Sequence, residues 1–554
     1  MTLRHGSSLA GGWTILASLF MASMLNAPVA HAADWNYRVR PDDNIWDLSR
    51  RYMKADVPWQ KLQEYNQVTD PYHLPPGMKL RIPIEWLRVQ PAKATVVAVA
   101  GKAQVELPGQ AASAVEPGVQ LGFGSRLITG PGASLTLQFA DGSRVLMQHD
   151  SQLELDRMSA YGRTGMVDTR LRLQHGRVST SVTPMTGAAA HFSVETPGII
   201  SSVRGTHFRV AADASTQRSQ TEVLTGRVDV AGERRHTLVD KGMGVAVNQG
   251  AQPGKSQPLL PAPRLHCPTG PVTALPYQFD WPALDGASRY RVQVAPTDRF
   301  EVLLMDRLVD GNHASLPDLP DGDYALQVHG VDAGGLEGSD AACSIRIDGH
   351  PLPPLILEPQ ADGKVRDPRP RFRWTSTDDA ASYAWQLASD EQFTQPLGEQ
   401  NAIKGDSVRA PRTLPPGHYY WRVASRDHHG KLGPYTSPMT FDLVPEPPTP
   451  AVGDPVQTRD KLSLGWSAGA PGQRYHVQMD RDPAFPHPLV DEVVEQARLE
   501  IDKPASGRWY VRVQVIESDG YTGNWGPVQK LKLPCKACRV VAAGGGAALL
   551  WLLL

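Results

Sequence analysis

The sequence predicts a mainly β, multidomain protein: one small β-α-α-β module, one all-β domain and three antiparallel β-sandwiches in series. Three observations lead there. Glycine (50) and proline (48) are spread along the 554 residues and punctuate many short alternating apolar/polar runs. Helix-period spacing is confined to a stretch near the N-terminus. From about residue 265 onward the pattern repeats itself. A chain of 554 residues exceeds one domain and suits about three to five. With 20% charged residues, 41% hydrophobic ones and a net charge of −1, the composition is ordinary for globular material. It argues against nucleic acid as a partner, because capture of phosphates needs a basic surface that displaces counterions.

Residues 1–32 read as a secretory signal. Arg4 and His5 precede an apolar stretch from Trp13 to Leu25, Pro28 breaks it, and Ala30-His31-Ala32 offers the small-x-small pattern cut by signal peptidase. The competing reading, an uncleaved anchor, meets an apolar core too short to span a bilayer well. The expected location is therefore the periplasm or cell envelope.

The first module spans residues 35–84. Trp35 to Arg40 alternates as a strand, and Pro41-Asp42-Asp43-Asn44 forms a turn able to cap a helix. Ile45, Leu48 and Tyr52 then fall on one helical face, with Trp46 and Leu48 read as core. A second short helix from about Pro58 to Asn66 presents Trp59, Leu62 and Tyr65. Leu74-Pro75-Pro76-Gly77 turns the chain into a last strand, Met78 to Pro83. A unit this small holds together only if nearly every apolar position faces inward.

The run Tyr37-x-Val39-x-Pro41-x-Asp43-Asn44-Ile45-Trp46-x-Leu48, continued by Trp59-x-x-Leu62-x-x-Tyr65-Asn66 and Leu74-x-Pro76-Gly77-x-x-Leu80-x-Ile82-Pro83, resembles the LysM family over its whole length. The resemblance implies binding of N-acetylglucosamine-containing glycans, chiefly peptidoglycan and chitin, in a shallow groove between two loops. Carried over by position, the first loop supplies Asp42, Asp43, Asn44 and Ile45. The second supplies Asn66, Leu74, Pro75, Pro76 and Gly77. Backbone and amide hydrogen bonds to the acetamido group, with apolar contact to the ring, suit such an uncharged ligand. The family's usual Gly is Asp42 here and its usual Thr is Asn44. For Asp43 and Asn44 a plain helix cap competes with direct glycan contact.

Residues 93–250 change period. Thr95 to Val99, Gly101 to Val105, Ser134 to Phe139 and Arg144 to Met147 are strand-like, separated by turns such as Pro108-Gly109 and Asp141-Gly142. The stretch Thr196-Pro197-Gly198, Val203-Arg204-Gly205-Thr206-His207-Phe208-Arg209-Val210, with Gly124 to Thr129 upstream and Leu224 to Val228 downstream, resembles the FecR-type domain. That family relays signals across the envelope, but the cytoplasmic domain and membrane span that precede it in its best-known members do not precede it here. Arg204-Gly205-Thr206 reads as architecture rather than as a partner contact, and His207 has no second metal ligand at suitable spacing.

The remaining half repeats. Phe279-Asp280-Trp281, Phe372-Arg373-Trp374 and Leu464-Gly465-Trp466 open units 93 and then 92 residues apart. Each unit continues with a Tyr-led strand and a later Phe (Tyr290 and Phe300, Tyr383 and Phe393, Tyr475 and Phe485), then a Pro/Gly turn and another alternating strand. The length and the inner-strand Trp predict sandwiches at 265–350, 355–445 and 450–534, resembling fibronectin type III or related immunoglobulin-like domains. Their aromatic residues read as core rather than as a sugar platform. Proline-rich joints, His350 to Pro354 and Val444 to Pro450, read as semi-rigid spacers.

Four cysteines in an exported chain suggest bridging. Cys267 and Cys343 are expected in the first and last strands of one sandwich, a plausible staple. Cys535 and Cys538 have redox spacing but no thioredoxin-like context. The apolar tail 540–554 would make a helix of about 22 Å, short of the roughly 30 Å hydrocarbon core. A marginal membrane contact, a docking or processed segment, and an accident of the reading frame all stay open for it.

No Gly-x-Ser-x-Gly elbow, no His-Glu-x-x-His and no Cys/His pair in a catalytic setting occurs. The expected function is thus a non-catalytic, cofactor-free envelope scaffold or adaptor that holds peptidoglycan and engages an envelope protein. The alternatives are FecR-type envelope signalling and, behind it, a cell-wall hydrolase.

Overall fold

A computed structural model describes residues 33–534 except Thr186 and Ala188. Residues 1–32, where a signal segment was expected, and Cys535, Cys538 and the apolar tail lie outside the described residues. The chain divides between Gly349 and His350 into two compact units.

The first unit opens with β1 (Asp34–Arg38), α1 (Ile45–Tyr52), α2 (Trp59–Asn66) and β2 (Lys79–Pro83). β1 and β2 pair antiparallel with Trp35 opposite Ile82 and Tyr37 opposite Leu80. α1 forms where its sequence allows: the Asn44 side chain caps it by accepting the Asp47 N–H at 2.8 Å, and Ile45, Leu48 and Tyr52 bury one face. α2 ends at Gln67, whose left-handed backbone (φ 51°) returns its N–H to the Gln63 and Glu64 carbonyls. Ile45, Leu48, Leu62, Leu80 and Ile82 are wholly buried, and Met166 and Ala190 of the next domain complete this core. The module is therefore packed onto its neighbour rather than tethered to it.

The all-β domain is two sheets closed into a barrel by strands long enough to serve both. In strand Val167–Ser181 the first half pairs with Ser151–Tyr161 and, in parallel, with His191–Glu195. Its second half pairs with Arg144–Met147 and His207–Asp213. Leu135, Leu137, Leu153, Leu171, Leu173, Val178, Phe192, Phe208 and Val210 alternate into a single core. The turn Arg204-Gly205 joins strands Ile200–Val203 and His207–Asp213. Gly205 holds φ 124°, and a Cβ there would lie 2.7 Å from the Pro184 Cα. Thr206 beside it is buried and donates to the Arg227 carbonyl at 3.0 Å. These contacts account for the motif as architecture. Gly205→Ala is accordingly expected to lower stability by about 1–3 kcal/mol, read as a reduced urea midpoint.

The first sandwich carries a sheet ordered Met305–Val309, Ala287–Ala295, Gly322–Asp332, Ala341–Ile347, opposite the pair Gln278–Asp280 and His313–Ser315. Cys267 and Cys343 are bonded, with Cα atoms 6.3 Å apart. Cys343 is in a strand, but Cys267 lies in an irregular segment rather than in the first strand as expected.

This sandwich docks on the barrel through polar sheet faces. Glu337 receives Arg177 at 3.1 Å and Arg209 at 3.2 Å from the barrel, and Arg291 at 2.6 Å and His329 at 2.9 Å from its own sandwich. Thr136 donates to the Glu301 carbonyl at 2.6 Å, and the Leu303 N–H donates to the Ser134 hydroxyl at 3.0 Å. Burial alone would raise the Glu337 carboxyl, but Arg177, Arg291 and His329 overcome it and hold the group well below the usual range. Asp340, on Arg209 and His329, is likewise lowered to about 2 against its burial. Burial raises the neighbouring Glu222 carboxyl.

The second unit holds the other two sandwiches, and across all three sandwiches the sequence repeat acquires physical reasons. Trp281, Trp374, Trp385 and Trp421 are wholly buried and Trp466 nearly so. The Tyr hydroxyl of each repeat accepts a backbone N–H six residues earlier: Tyr290 from Leu284 (2.6 Å), Tyr383 from Thr377 (2.9 Å), Tyr475 from Gly469 (2.8 Å). After the Pro/Gly turn, Tyr324 and Tyr419 donate to the Pro320 and Pro415 carbonyls, and Trp509 to that of Ala505, all four residues back. Phe300, Phe393 and Phe485 share a left-handed backbone of φ 50–58°. A bulky residue adopts that conformation only where packing imposes it.

Candidate glycan-binding site

Two loops of the first module come together at its sheet end. The Ile45 N–H donates to the Pro71 carbonyl at 2.9 Å, and the Gly77 N–H to the Val39 carbonyl at 2.8 Å. The turn after β1 and the segment before β2 are thereby fixed side by side.

In the first loop Asp42 is exposed with φ 67°. Glycine fits that conformation without strain and aspartate tolerates it, which is why the substitution at this position leaves the loop intact. Asp43 is engaged internally: Oδ2 accepts the Tyr37 hydroxyl at 2.6 Å and the Arg40 N–H at 2.7 Å. Burial and that hydrogen bond push the Tyr37 hydroxyl up to about 12. Asn44 is spent on the cap, with its Nδ2 donating to Asp47 at 2.7 Å. Ile45 is wholly buried and Leu74 is 6% exposed, so these two side chains are core and cannot contact a glycan as the sequence suggested.

Asn66 stands apart from the loops. Its Oδ1 accepts the Arg81 N–H at 2.7 Å, and its Nδ2 donates to the Arg81 and Leu62 carbonyls at 2.8 and 3.0 Å. That clamp ties α2 to β2 and uses the amide fully. Pro75, Pro76 and Gly77 are exposed, and Gly77 holds φ 86°.

Two aromatic side chains are exposed at these loops, one absent from the sequence reading and one misplaced by it. Tyr72, in the second loop, is 69% exposed. Trp46, expected in the core, is 49% exposed with the Arg50 guanidinium 5.5 Å above its ring. Its position one residue after Ile45 takes it off the Ile45–Leu48–Tyr52 face, so helical periodicity already marked it as outward. For Tyr72 the signal was an aromatic in a turn with no periodic partner. Asp70 fixes this turn: its Oδ1 accepts the Tyr72 N–H at 2.9 Å and its Oδ2 meets His73 Nδ1 at 3.0 Å. Those bonds hold its carboxyl below the usual range. These loops thus offer exposed aromatic and proline surface beside backbone polar groups, with most carboxylates already satisfied. Such a surface suits an uncharged ring better than an ion. Among the described residues no cluster of His, Cys, Asp and Glu has the geometry of a metal site, and no helix is long and apolar enough to cross a membrane.

Residues 37–83 match the LysM domain family model and residues 125–229 the FecR protein family model. LysM domains bind peptidoglycan- and chitin-type N-acetylglucosamine glycans, and both families are binding or signalling domains rather than catalytic ones. No curated protein matches the sequence. Among solved structures, the chain is similar to a protein described as a "putative anti-sigma factor" from Parabacteroides distasonis (17% identity, TM-score 0.21, 24% of this chain). It spans 59% of that protein's chain. It is also similar to the FN1–FN3 domains of chicken CNTN1 (15% identity, TM-score 0.23, covering 50% of this chain and 98% of that one). A third likeness is to fibronectin(III)-like modules of Clostridium thermocellum CbhA (10% identity, TM-score 0.23, covering 33% and 94%).

Proposed function

We propose that this chain is a non-catalytic, peptidoglycan-binding scaffold of the cell envelope, exported to the periplasm and held on the wall by residues 35–84. What supports the reading is the pair of loops 41–46 and 70–77, joined side by side in a stretch that matches LysM, with Tyr72, Pro75 and Pro76 exposed to meet a sugar ring. The barrel and sandwiches extend from the wall and engage an envelope protein, and the apolar tail adds a membrane contact.

Retention on purified peptidoglycan tests this. The full chain is expected to co-sediment, and a chain lacking residues 35–84 to remain in solution. Tyr72→Ala should weaken retention about tenfold, the loss of one exposed aromatic anchor. Equal retention of the shortened chain would refute the assignment, and muropeptide release above background would refute the non-catalytic reading.

A second reading, envelope signalling, is favoured by the FecR match over residues 125–229. It predicts that crosslinking through the barrel in cells recovers a sigma-factor regulator. Recovery of wall-associated proteins alone would reject it.

A further inference from the structure

The outward face of the β1–β2 sheet carries one sign of charge. Asn36, Arg38 and Arg40 are exposed and alternate with buried Tyr37 and Val39. Pairing continues past the end of β1, because the Val39 N–H donates to the Met78 carbonyl at 2.9 Å. Arg38 lies directly opposite Lys79, which is also exposed. Like charges facing each other across an antiparallel pair cost stability, so folding alone does not account for them.

A third arginine comes from the barrel. Hairpin 161–166 joins strands Ser151–Tyr161 and Val167–Ser181, and its Tyr161 and Met166 pack into the core of the first module. At its tip, a Cβ on Gly162 would lie 3.7 Å from the Tyr52 carbonyl oxygen. That approach sets the exposed Arg163 beside the module. Arg38, Arg40 and Arg163 line one concave space of about 550 Å³. Among the described residues no aspartate or glutamate lines it, and none of the three arginines is ion-paired. The chain as a whole has a net charge of −1, so this concentration is local. A concave surface lined by one sign of charge draws in the other.

Pro41 of the first loop and Pro76 and Gly77 of the second border the same space. A sugar held by those loops would therefore carry its own substituents past the arginines. Guanidinium groups match carboxylates in geometry, two N–H donors to two oxygens. Chitin offers no such group. The sugars of peptidoglycan bear short peptides with free carboxylates.

We infer that Arg38, Arg40 and Arg163 form a subsite for the carboxylates of the peptides on the wall glycan, so that the chain prefers peptide-bearing peptidoglycan to chitin. The inference rests on the wall-binding reading of the two loops. It adds to them a contact outside the loops, built jointly by the first module and the barrel.

Calorimetric titration of the full chain with a tetrasaccharide muropeptide and with the N-acetylglucosamine tetramer is the test. The muropeptide should bind about tenfold tighter at low salt, the combined effect of exposed ion pairs, and lose that advantage at high salt. Arg38→Gln, Arg40→Gln and Arg163→Gln together should abolish the advantage and leave the affinity for the tetramer unchanged. Arg163→Gln alone should remove about two- to threefold of it, the share of the barrel. A muropeptide bound no tighter than the tetramer, or an advantage that survives the triple variant, would overturn the inference and leave the glycan-binding loops in place. Binding of neither probe would refute the wall-binding reading itself, and the inference with it. Capture by anionic phospholipid vesicles that the triple variant loses, with the two sugars bound equally, would overturn the inference by assigning the arginines to a membrane surface.

Discussion

Glu337→Ala is expected to destabilise the first unit by about 3–5 kcal/mol, the effect of removing one partner from a buried ion cluster. Glu337 is 1% exposed and is the acceptor on which Arg177, Arg209, Arg291 and His329 converge from two domains. Its loss removes the carboxylate that three guanidinium groups share in a water-poor interface and leaves each with one acidic partner, Arg177 with Glu222, Arg209 with Asp340 and Arg291 with Asp306. Urea unfolding of the two proteins, followed by tryptophan fluorescence, measures the difference; a loss below about 1 kcal/mol would mean the interface is hydrated enough to behave as surface.

The same cluster sets an acid limit. Asp340 titrates at about 2 and Glu337 also lies below its ordinary range, so both are depressed relative to the unfolded chain, where carboxyls titrate near about 4. Their stabilisation is complete above the unfolded values and is lost as pH falls from about 4 toward 2. Glu222 has the opposite sign: its raised group stabilises most below the unfolded value and loses that contribution as pH rises through the folded one. Glu222→Gln should therefore be tolerated at neutral pH far better than Glu337→Ala.

The second large effect is expected at the disulfide. Cys267 and Cys343 are 76 residues apart, and loop-closure entropy assigns a bridge of that span about 4–5 kcal/mol. Cys267→Ser with Cys343→Ser should lower the unfolding free energy of the first unit by most of that amount. Reduction of the wild-type chain should reproduce the loss. Equal stability of oxidised, reduced and double-variant protein would mean that the core around Trp281 carries the sandwich unaided.

How far the sequence spoke for the fold depends on what each pattern can distinguish. Ile45, Leu48 and Tyr52 announced α1 because an apolar stripe at helical spacing has one economical burial. The recurring Trp, Tyr and Phe of the sandwiches were legible as core by position, though not the hydrogen bonds and the left-handed phenylalanine that make them recur. Arg177, Glu222, Arg291, Gln293 and His329 were not legible as an interface. Outward polar residues on alternating strands look the same whether they face water or another polar sheet. In the first module, the loop positions were readable by likeness to a family, but the division of labour was not. Asp43, Asn44 and Asn66 hold the loops, Ile45 and Leu74 hold the core, and the exposed aromatic surface belongs to Trp46 and Tyr72.

Hydrogen–deuterium exchange of the full chain, with and without a soluble N-acetylglucosamine oligomer, tests the central claim most directly. The account predicts that added protection is concentrated in peptides covering residues 41–46 and 70–77, and that Tyr72→Ala shifts it to about tenfold higher oligomer concentration. Saturable binding that protects other segments while those two loops exchange unchanged would contradict it.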